Sequence, residues 1–193
     1  MFGWRKFPVL QTGRLTLRLP QMGDYTQWAT LRRESESFLA PWEPLRDPAY
    51  LSRRAFRYRV NWGRAAVLDK RSLPLVLIRR ADGALMGGIT LDNMQGGVAK
   101  SCTVGYWMGE RFARNGYMAE ALEATVRYAF DHLDISRIQA GCLPENTPSR
   151  SLLEKSGFKY EGVAQSYLQI AGRWRDHVLY ANLRRDRQEK GTG

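Results

Sequence analysis

The chain has 193 residues, 44% hydrophobic and 25% charged, as expected for one globular domain with a sizeable core. Its formal net charge of +11 indicates an anionic partner, such as RNA or a small phosphorylated ligand. The longest apolar run, Leu73–Ile78, is too short to span a membrane, and two cysteines and two histidines are too few for a disulfide framework or a zinc site. We therefore expect a cytoplasmic protein that has no bound metal and no membrane contact.

The first elements are predicted from hydrophobic periodicity. Leucines alternate with polar residues across Gly13–Pro20, which predicts a half-buried strand. A helix is expected over Tyr25 to about Glu36, with Asp24 as its N-cap. The two ends, residues 1–12 and 186–193, are expected to be loosely ordered.

Two prolines stiffen the connector Ser37–Asp47, which carries Trp42 and Glu43 between them. These two side chains could shape a pocket for a cationic group, or Trp42 could close the edge of the core while Glu43 is solvated. Tyr50–Val67 then predicts a helix with an arginine-rich outer face, which is either solvated or in contact with RNA. Its expected inner stripe is Leu51, Ala55, Tyr58 and Trp62.

Three strands are predicted next. Leu73–Arg79 and Ala84–Leu91 form a hairpin around Ala81–Gly83, and Ala99–Met108 returns as the central strand. Gly87–Gly88 inside the second strand indicates a bulge or a close approach of two backbones. Both cysteines fall in apolar, strand-like segments and are expected to be buried free thiols.

The segment Cys102–Phe130 predicts a strand, a tight basic turn and a helix, and the rest of the chain is organised around it. The turn carries Arg111 and Arg114, and the helix begins at Tyr117. A turn entering a helix offers unpaired N–H groups and the positive end of the helix dipole, which together favour a phosphate. The turn lacks the motifs that hold nucleoside triphosphates or dinucleotides. The inner face of the helix is expected to be Met118, Ala121, Leu122, Thr125, Tyr128 and Ala129.

The last third predicts a strand, a short helix and a hairpin. Ser136–Leu143 is expected to lie parallel to the central strand through a right-handed crossover, so that the two strands can splay and admit a ligand. Pro144–Gly157 should form a turn and a short helix capped by Asn146 or Thr147. Two antiparallel strands, Phe158–Ile170 and Trp174–Arg184, follow.

Four motifs resemble the GNAT acetyltransferases, in order along nearly the whole chain. Arg111–Gly116 is similar to the family's Q/R-x-x-G-x-G/A pyrophosphate loop, with Arg114 at the place of the first glycine. NxxSxxLLxKxGF, at 146–158, is similar to the second family signature. FLxPWEPxRD at 38–47 and GxWRDHVLYA at 172–181 resemble the RimJ/RimL branch, the ribosomal-protein-alanine N-acetyltransferases.

The resemblance implies an α/β (α+β) GNAT fold in a single domain over residues 1–193. Its sheet would be mixed, mostly antiparallel and seven-stranded, with splayed central strands and helices on both faces. Acetyl-CoA would be the co-substrate, with no metal. At Arg114 either the backbone needs no positive φ or the arginine tolerates strain. The cofactor-binding residues implied are Trp107, Met108, Gly109, Arg111, Phe112, Ala113, Arg114, Asn115, Gly116, Tyr117, Met118, Asn146 and Ser149.

The resemblance also implies direct acetyl transfer in a ternary complex, with the N-terminal α-amine of a ribosomal protein as acceptor. In many similar proteins a tyrosine on the helix of the second signature protonates the leaving thiolate. No tyrosine occurs between Pro144 and Gly157 here, so the resemblance implies that Ser149 or an ordered water does this instead. A strand N–H near Trp107–Met108 would hold the thioester carbonyl. The alternative bases are Glu43, Glu161 and Asp176, although Asp176 could simply pair with a neighbouring arginine. The acceptor-binding residues implied are Trp42, Glu43, Tyr167 and Asp176.

Two other functions stay open at this point. One is acetylation of a small amine, for which an acidic acceptor pocket would argue. The other is a non-catalytic CoA-binding factor associated with the ribosome, since the basic surface could contact ribosomal RNA. We expect a monomer or a weak homodimer.

Overall fold

A computed structural model describes residues 7–188, which fold around one mixed sheet of eight strands. The strands are β1 (Val9–Gln11), β2 (Leu15–Arg18), β3 (Leu73–Arg79), β4 (Leu85–Gln95), β5 (Ser101–Met108), β6 (Arg137–Cys142), β7 (Lys159–Ile170) and β8 (Arg173–Leu183). They lie in the order β1-β2-β3-β4-β5-β6-β8-β7. The one parallel pair is β5 with β6, as the crossover predicted.

Helices cover both faces of the sheet. They are α1 (Tyr25–Glu34), α2 (Glu36–Leu39), α3 (Arg53–Leu68), α4 (Tyr117–His132), α5 (Thr147–Lys155) and α6 (Arg184–Gln188). α1 and α3 pack on one face, where Gly63 approaches Pro74 of β3. α4 and α5 lie on the other face, with Ser149 of α5 against Tyr106 of β5. None of the helices between residues 7 and 188 is long and apolar enough to cross a membrane.

The sheet has one strand more than the seven expected. β1 lies in the segment that was expected to be loosely ordered, and it pairs with β2 through Leu10 and Leu17. Leu10 is buried against the core. A three-residue strand is too short to show periodicity, which explains why the sequence did not reveal it. At the other end, residues 186–188 belong to the helical segment Arg184–Gln188, while residues 1–6 and 189–193 lie outside the described part of the chain.

The inner stripe predicted for the second long helix is wrong. The buried residues of α3 are Phe56, Val60, Gly63 and Ala66, whereas Tyr58 is 73% exposed. The helix begins only at Arg53, because Ser52 caps it by accepting a hydrogen bond from the Ala55 N–H. Leu51 belongs to a separate 3-10 turn, so the extrapolated stripe was out of phase.

Asp24 does not cap α1 as predicted. Its carboxylate instead accepts two hydrogen bonds from Arg18 and one from the Gln21 N–H, so it ties the end of β2 to the start of the helix. The connector after α1 is also more regular than expected, because α2 and a 3-10 turn over Ala40–Trp42 occupy its first half.

Candidate active site

β5 and β6 separate halfway along their length, as the resemblance predicted. Their parallel pairing ends at Thr103 and Gln139, although both strands continue, to Met108 and Cys142. Gly105 lies at the start of this opening, and a Cβ added there would meet nothing within 4 Å. The opening therefore leaves the backbone of β5 free to receive a ligand.

Alternation of the antiparallel ladder decides which N–H groups of β5 face the opening. The Gly109 N–H donates to the Met86 carbonyl at 2.9 Å, so the backbone of Trp107, two residues away, also faces β4. The N–H groups of Tyr106 and Met108 then face the opening. Of the two residues expected to hold a thioester carbonyl, Met108 has the suitable orientation and Trp107 does not.

The loop after β5 presents its free amides at one end. The Phe112 and Ala113 N–H groups donate to the carbonyls of Gly109 and Glu110, at 2.9 and 3.0 Å, and are therefore occupied in a 3-10 turn. α4 begins after Gly116, which lies in the left-handed region at φ 76° and makes no side-chain cap. The N–H groups available to an anion thus begin beyond Ala113 and run into the first turn of α4.

Arg114 adopts the strained conformation that the sequence left as one of two possibilities. Its φ is 62°, in the left-handed region where a glycine is usual. Its side chain is exposed, so the residue contributes backbone shape rather than packing. Arg111 forms an ion pair with Glu34 at 3.2 Å and stacks on the Phe112 ring, 4.8 Å from its centre.

Arg14, which the sequence analysis missed, braces this loop. Its guanidinium donates to the Asn115 carbonyl at 3.0 Å and to Glu120 at 2.6 Å, and it lies 4.4 Å from the centre of the Tyr117 ring. A groove of about 750 Å³ extends from Arg14 along the outer side of α4 to His132. That groove does not reach the opening between β5 and β6, and it is not the site described here.

Ser149 lies at the opening, hydrogen-bonded to a tyrosine. Asn146 caps α5 by accepting a hydrogen bond from the Ser149 N–H at 3.2 Å, which orients the serine. The Ser149 and Tyr106 hydroxyl oxygens are 2.8 Å apart. Burial raises the pKa of the Tyr106 phenol well above its usual value, and this outweighs the lowering by Ser149. Buried Cys142 adjoins the pair, and its pKa is likewise raised by burial.

A tyrosine is thus present where the sequence indicated none, because it comes from β5 rather than from α5. The alternation of β5 placed Tyr106 on one face with Val104, but which helix residue it meets depends on tertiary packing. The two hydroxyls form a hydrogen-bonded pair at the part of β5 that has left β6.

Glu43 is held in place by arginines. Both of its carboxylate oxygens bind Arg32, and Arg46 lies 3.5 Å away. Burial alone would raise the pKa of Glu43, but the hydrogen bonds and charge of Arg32, with Arg46, outweigh it, so the pKa is lowered. A carboxylate committed in this way is a weak proton acceptor.

Glu161 is not brought to the site. It binds Arg137 through both oxygens, and the hydrogen bond from Arg137, with its charge, lowers the pKa of Glu161 although burial opposes this. Arg137 begins β6, where that strand still pairs with β5, and it lies about 16 Å along the strand from Cys142 at the open end. Its ion pair is an exposed one at the far end of the strand.

Asp176 is exposed on β8, where it accepts a hydrogen bond from the Ser166 N–H at 2.8 Å. It pairs with neither neighbouring arginine, since Arg175 binds Glu145 in the turn before α5. Of the three carboxylates considered from the sequence, Asp176 is the one not bound by an arginine among residues 7–188.

The remaining acceptor residues lie on the α1–α3 face. Tyr167 packs edge-on against His177, with ring centres 5.5 Å apart, and both lie beside Gly141 of β6. The Glu43 carbonyl accepts a hydrogen bond from the Ala171 N–H at 2.9 Å, so the structure joins the connector to the β7–β8 turn. Trp42 is half-buried in that connector. Residues 7–188 contain no group of three acidic, histidine or cysteine side chains placed to bind a metal ion.

A sheet that splays beside a helix N-terminus is the arrangement that the resemblance to acyl-CoA-dependent transferases implies, and comparisons with known proteins specify the family. The profile described as Acetyltransferase (GNAT) domain matches residues 14–159. The chain therefore belongs to the GNAT acetyltransferase family.

Similar proteins narrow the class further. The chain is 35% identical over 184 residues to the [ribosomal protein uS5]-alanine N-acetyltransferase of Escherichia coli K12, covering 94% of this chain and 95% of the relative. Mycobacterium smegmatis RimJ in complex with CoA-disulfide superposes with a TM-score of 0.85 at 30% identity, covering 93% of this chain and 88% of that one. The Vibrio fischeri ribosomal-protein-S5-alanine acetyltransferase gives 0.86 at 25% identity, covering 93% and 98%. This protein is an acetyl-CoA-dependent N-acetyltransferase of the ribosomal-protein type.

Proposed function

We propose that the protein transfers the acetyl group of acetyl-CoA directly to the N-terminal α-amine of a ribosomal protein, within a ternary complex. The observation that carries this proposal is the opening between β5 and β6. It has free loop amides at one end, the Ser149–Tyr106 pair beside it, and the joined connector and β7–β8 turn on the other face. The relatives named for S5-alanine acetylation support a ribosomal acceptor.

The residues of the loop and of β5 fit the acetyl-CoA that the family uses. Amides beyond Ala113 and the positive end of α4 suit its diphosphate. The outward N–H groups of Tyr106 and Met108 suit the polar groups of its arm, and Met108 is the proposed donor to the thioester carbonyl. Bound there, acetyl-CoA supplies the activated acetyl group.

Ser149 and Tyr106 are proposed to deliver the proton that the departing thiolate needs. Either hydroxyl can donate to the other at 2.8 Å, so a proton given by Ser149 can be replaced from Tyr106, and Tyr106 then regains its proton from solvent water when the products leave. Asp176 is proposed to take a proton from the acceptor amine through a water molecule. An α-amine with a pKa of about 7.7–8.0 requires only a weak base.

The acceptor side of the opening is the α1–α3 face, where the connector meets the β7–β8 turn. The positive charge there disfavours a polyamine or another small cationic amine as acceptor. Glu43, which could have attracted such an acceptor, is neutralised by Arg32, and Arg46 and Arg59 add positive charge nearby. A polypeptide N-terminus carries one amine on a chain that can be otherwise neutral or acidic. We infer that the acceptor is such a chain.

A thiol-release assay tests the proposal. The protein is given acetyl-CoA and peptides that begin with Ala, Ser or Met, and mass spectrometry locates the acetyl group. We expect release of CoA with the Ala peptide and an acetyl group on its first residue. The same peptide with a blocked N-terminus and a free internal lysine is the control.

Two results would contradict the proposal. Acetylation of the lysine in the blocked peptide would assign a different acceptor amine. Tight binding of acetyl-CoA without turnover of any N-terminal peptide, or of a purified ribosomal fraction, would favour the non-catalytic alternative.

A further inference from the structure

Three arginines converge on one aromatic ring on the acceptor side. The guanidinium carbons of Arg32, Arg46 and Arg59 lie 5.4, 4.8 and 4.9 Å from the centre of the Tyr50 ring. In the described part of the chain, Glu43 is the carboxylate bound to them, and Arg32 occupies both of its oxygens. We call Arg32, Arg46 and Arg59, with Tyr50 and Glu43, the arginine cluster. It holds three positive charges and one negative charge.

Arg59 is the member of the cluster without an anionic partner among residues 7–188. Its Nε is buried and makes no hydrogen bond. The group is stacked between Trp28 and Tyr50, 5.2 and 4.9 Å from their ring centres. Burial lowers the pKa of Arg59, and the charges of Arg46 and Arg32 lower it further. The aromatic faces offset part of the desolvation, but they leave a strong donor without an acceptor.

The cluster borders the acceptor side of the opening. Arg32 lies over the ring of Trp107, 4.7 Å from its centre, and Trp107 belongs to the part of β5 that has left β6. Glu43 joins the cluster to the β7–β8 turn through its carbonyl. A polypeptide whose first residue enters the opening on this face would pass the cluster within a few residues.

We propose that the arginine cluster binds the side-chain carboxylate of an Asp or Glu in the acceptor polypeptide, within about five residues of the acetylated amine, since an extended chain spans about 3.3 Å per residue. This inference rests on the proposed function. The acidic side chain would give Arg59 an anionic partner, would halve the net positive charge of the cluster, and would give the enzyme a sequence preference beyond the first residue. Charge-assisted hydrogen bonds to guanidinium groups are among the stronger recognition contacts.

A carboxylate fits the cluster better than an RNA phosphate does. The unpaired Nε is buried beside the Trp28 and Tyr50 rings, so contact with it requires the cluster to open. A single carboxylate on a flexible side chain needs a smaller opening than a phosphodiester backbone does. A polyanion would first meet the exposed arginines of the outer face of α3, which are Arg53, Arg54 and Arg57.

Matched peptides test the inference. In short peptides that begin with Ala, a single Glu is moved from the second to the sixth residue, and each is compared with the Gln peptide. Binding is measured by calorimetry with CoA present, and turnover by thiol release. We expect one position to favour Glu about tenfold in both measurements. Arg59→Gln should abolish the preference, while Arg57→Gln, on the exposed face of the same helix, should keep it.

The possible outcomes separate this inference from the proposed function. If the Ala peptides are acetylated but Glu and Gln bind alike at every position, the inference is wrong and the function stands. If Glu is favoured in binding but no peptide is acetylated, the function fails and the inference stands. If Arg59→Gln does not fold, Arg46→Gln, whose side chain is 43% exposed, should reduce the preference. The inference is wrong if the folded arginine variants keep the preference for Glu over Gln. It is also wrong if those variants lose only the binding of RNA.

Discussion

The two ends of the opening between β5 and β6 are built in different ways. The cofactor end is made of backbone, from one continuous stretch that includes Arg114, Gly116 and the first turn of α4. The acceptor end is made of side chains from α1, the connector, α3 and the β7–β8 hairpin, which are far apart in the sequence. It is joined by Arg32 and Glu43.

This difference affects how each end can vary. Amides present the same donor whatever the side chain, so the loop can carry Arg114 in place of a glycine as long as φ stays positive. The acceptor end depends on the identity and charge of each side chain. A family can therefore keep one co-substrate while it changes the acceptor.

The largest effect is expected at the acceptor end, when the ion pair between Glu43 and Arg32 is removed. Glu43→Gln leaves Arg32, whose side chain is 6% exposed, without its carboxylate. Removing one partner of a buried pair costs about 3 kcal/mol of unfolding free energy. For a chain of this size the melting temperature should then fall by about 6–12 °C. Thermal denaturation of the variant measures this.

Two controls sharpen the test at Glu43. Asp176→Asn removes an exposed carboxylate that no arginine binds in residues 7–188, so it should lower kcat and leave the melting temperature nearly unchanged. The folded-state pKa of Glu43 lies below its ordinary value of 4.5, so its stabilising contribution is complete above that pH and is lost as the pH falls through the lowered pKa. The gap between wild type and Glu43→Gln should therefore close in acid. A gap that stays constant below pH 4 contradicts this role.

The next largest effect is expected where the two ends meet, at Ser149. Ser149→Ala should lower kcat about 100-fold and leave the KM for acetyl-CoA nearly unchanged, because it removes a proton donor rather than a binding contact. Tyr106→Phe should have a similar effect, and the double variant should be no slower, since the two hydroxyls act as a unit. Steady-state rates between pH 6 and 9 measure this. Because burial raises the pKa of Tyr106, no alkaline loss should come from it in this range. An unchanged kcat in Ser149→Ala would show that Ser149 is not the donor, and an unchanged kcat in the double variant as well would identify water.

The cofactor end was the more predictable of the two from sequence. The strand, loop and helix of Cys102–Phe130 are contiguous, and local patterns gave the boundaries of β5 and α4 to within a few residues. Asn146 was likewise one of the two predicted caps of α5, because capping is a local interaction. The GNAT fold followed from these motifs in order, and the family comparison confirmed it.

The acceptor end was predicted less well because it depends on packing. No local signal pairs Glu43 with Arg32 or Glu161 with Arg137, and each of those ion pairs removes a carboxylate that the sequence offered as a base. Tyr106 was missed for the same reason, since its partner lies on α5. The wrong inner stripe of α3 also hid the inward position of Arg59, which belongs to the same acceptor end.

A smaller effect should show that the cofactor end depends on backbone shape. Gly116 and Gly83 both have positive φ, at 76° and 71°, but Gly83 lies in the β3–β4 turn, where an added Cβ would meet nothing within 4 Å. Replacing either with Ala should cost about 1–2 kcal/mol of stability. Only Gly116→Ala should also raise the KM for acetyl-CoA, by about tenfold, because its Cβ is beside the amides that enter α4. Equal KM values in the two variants would place the diphosphate elsewhere.

The smallest effect, and the sharpest test of a backbone-built end, is expected at Arg114. Arg114→Gly removes the strain of a left-handed φ of 62°, and the relief exceeds the extra chain entropy that glycine loses on folding. The net gain should be about 0.5 kcal/mol, which raises the melting temperature by about 1–2 °C. Lys70→Gly, at a φ of 55° in the turn after α3, should give a similar gain as the control. The KM for acetyl-CoA should stay within about threefold of wild type, since the amide of residue 114 remains. A tenfold rise in Arg114→Gly alone would mean that the guanidinium itself binds the diphosphate. The cofactor end would then depend on side chains as well as on backbone.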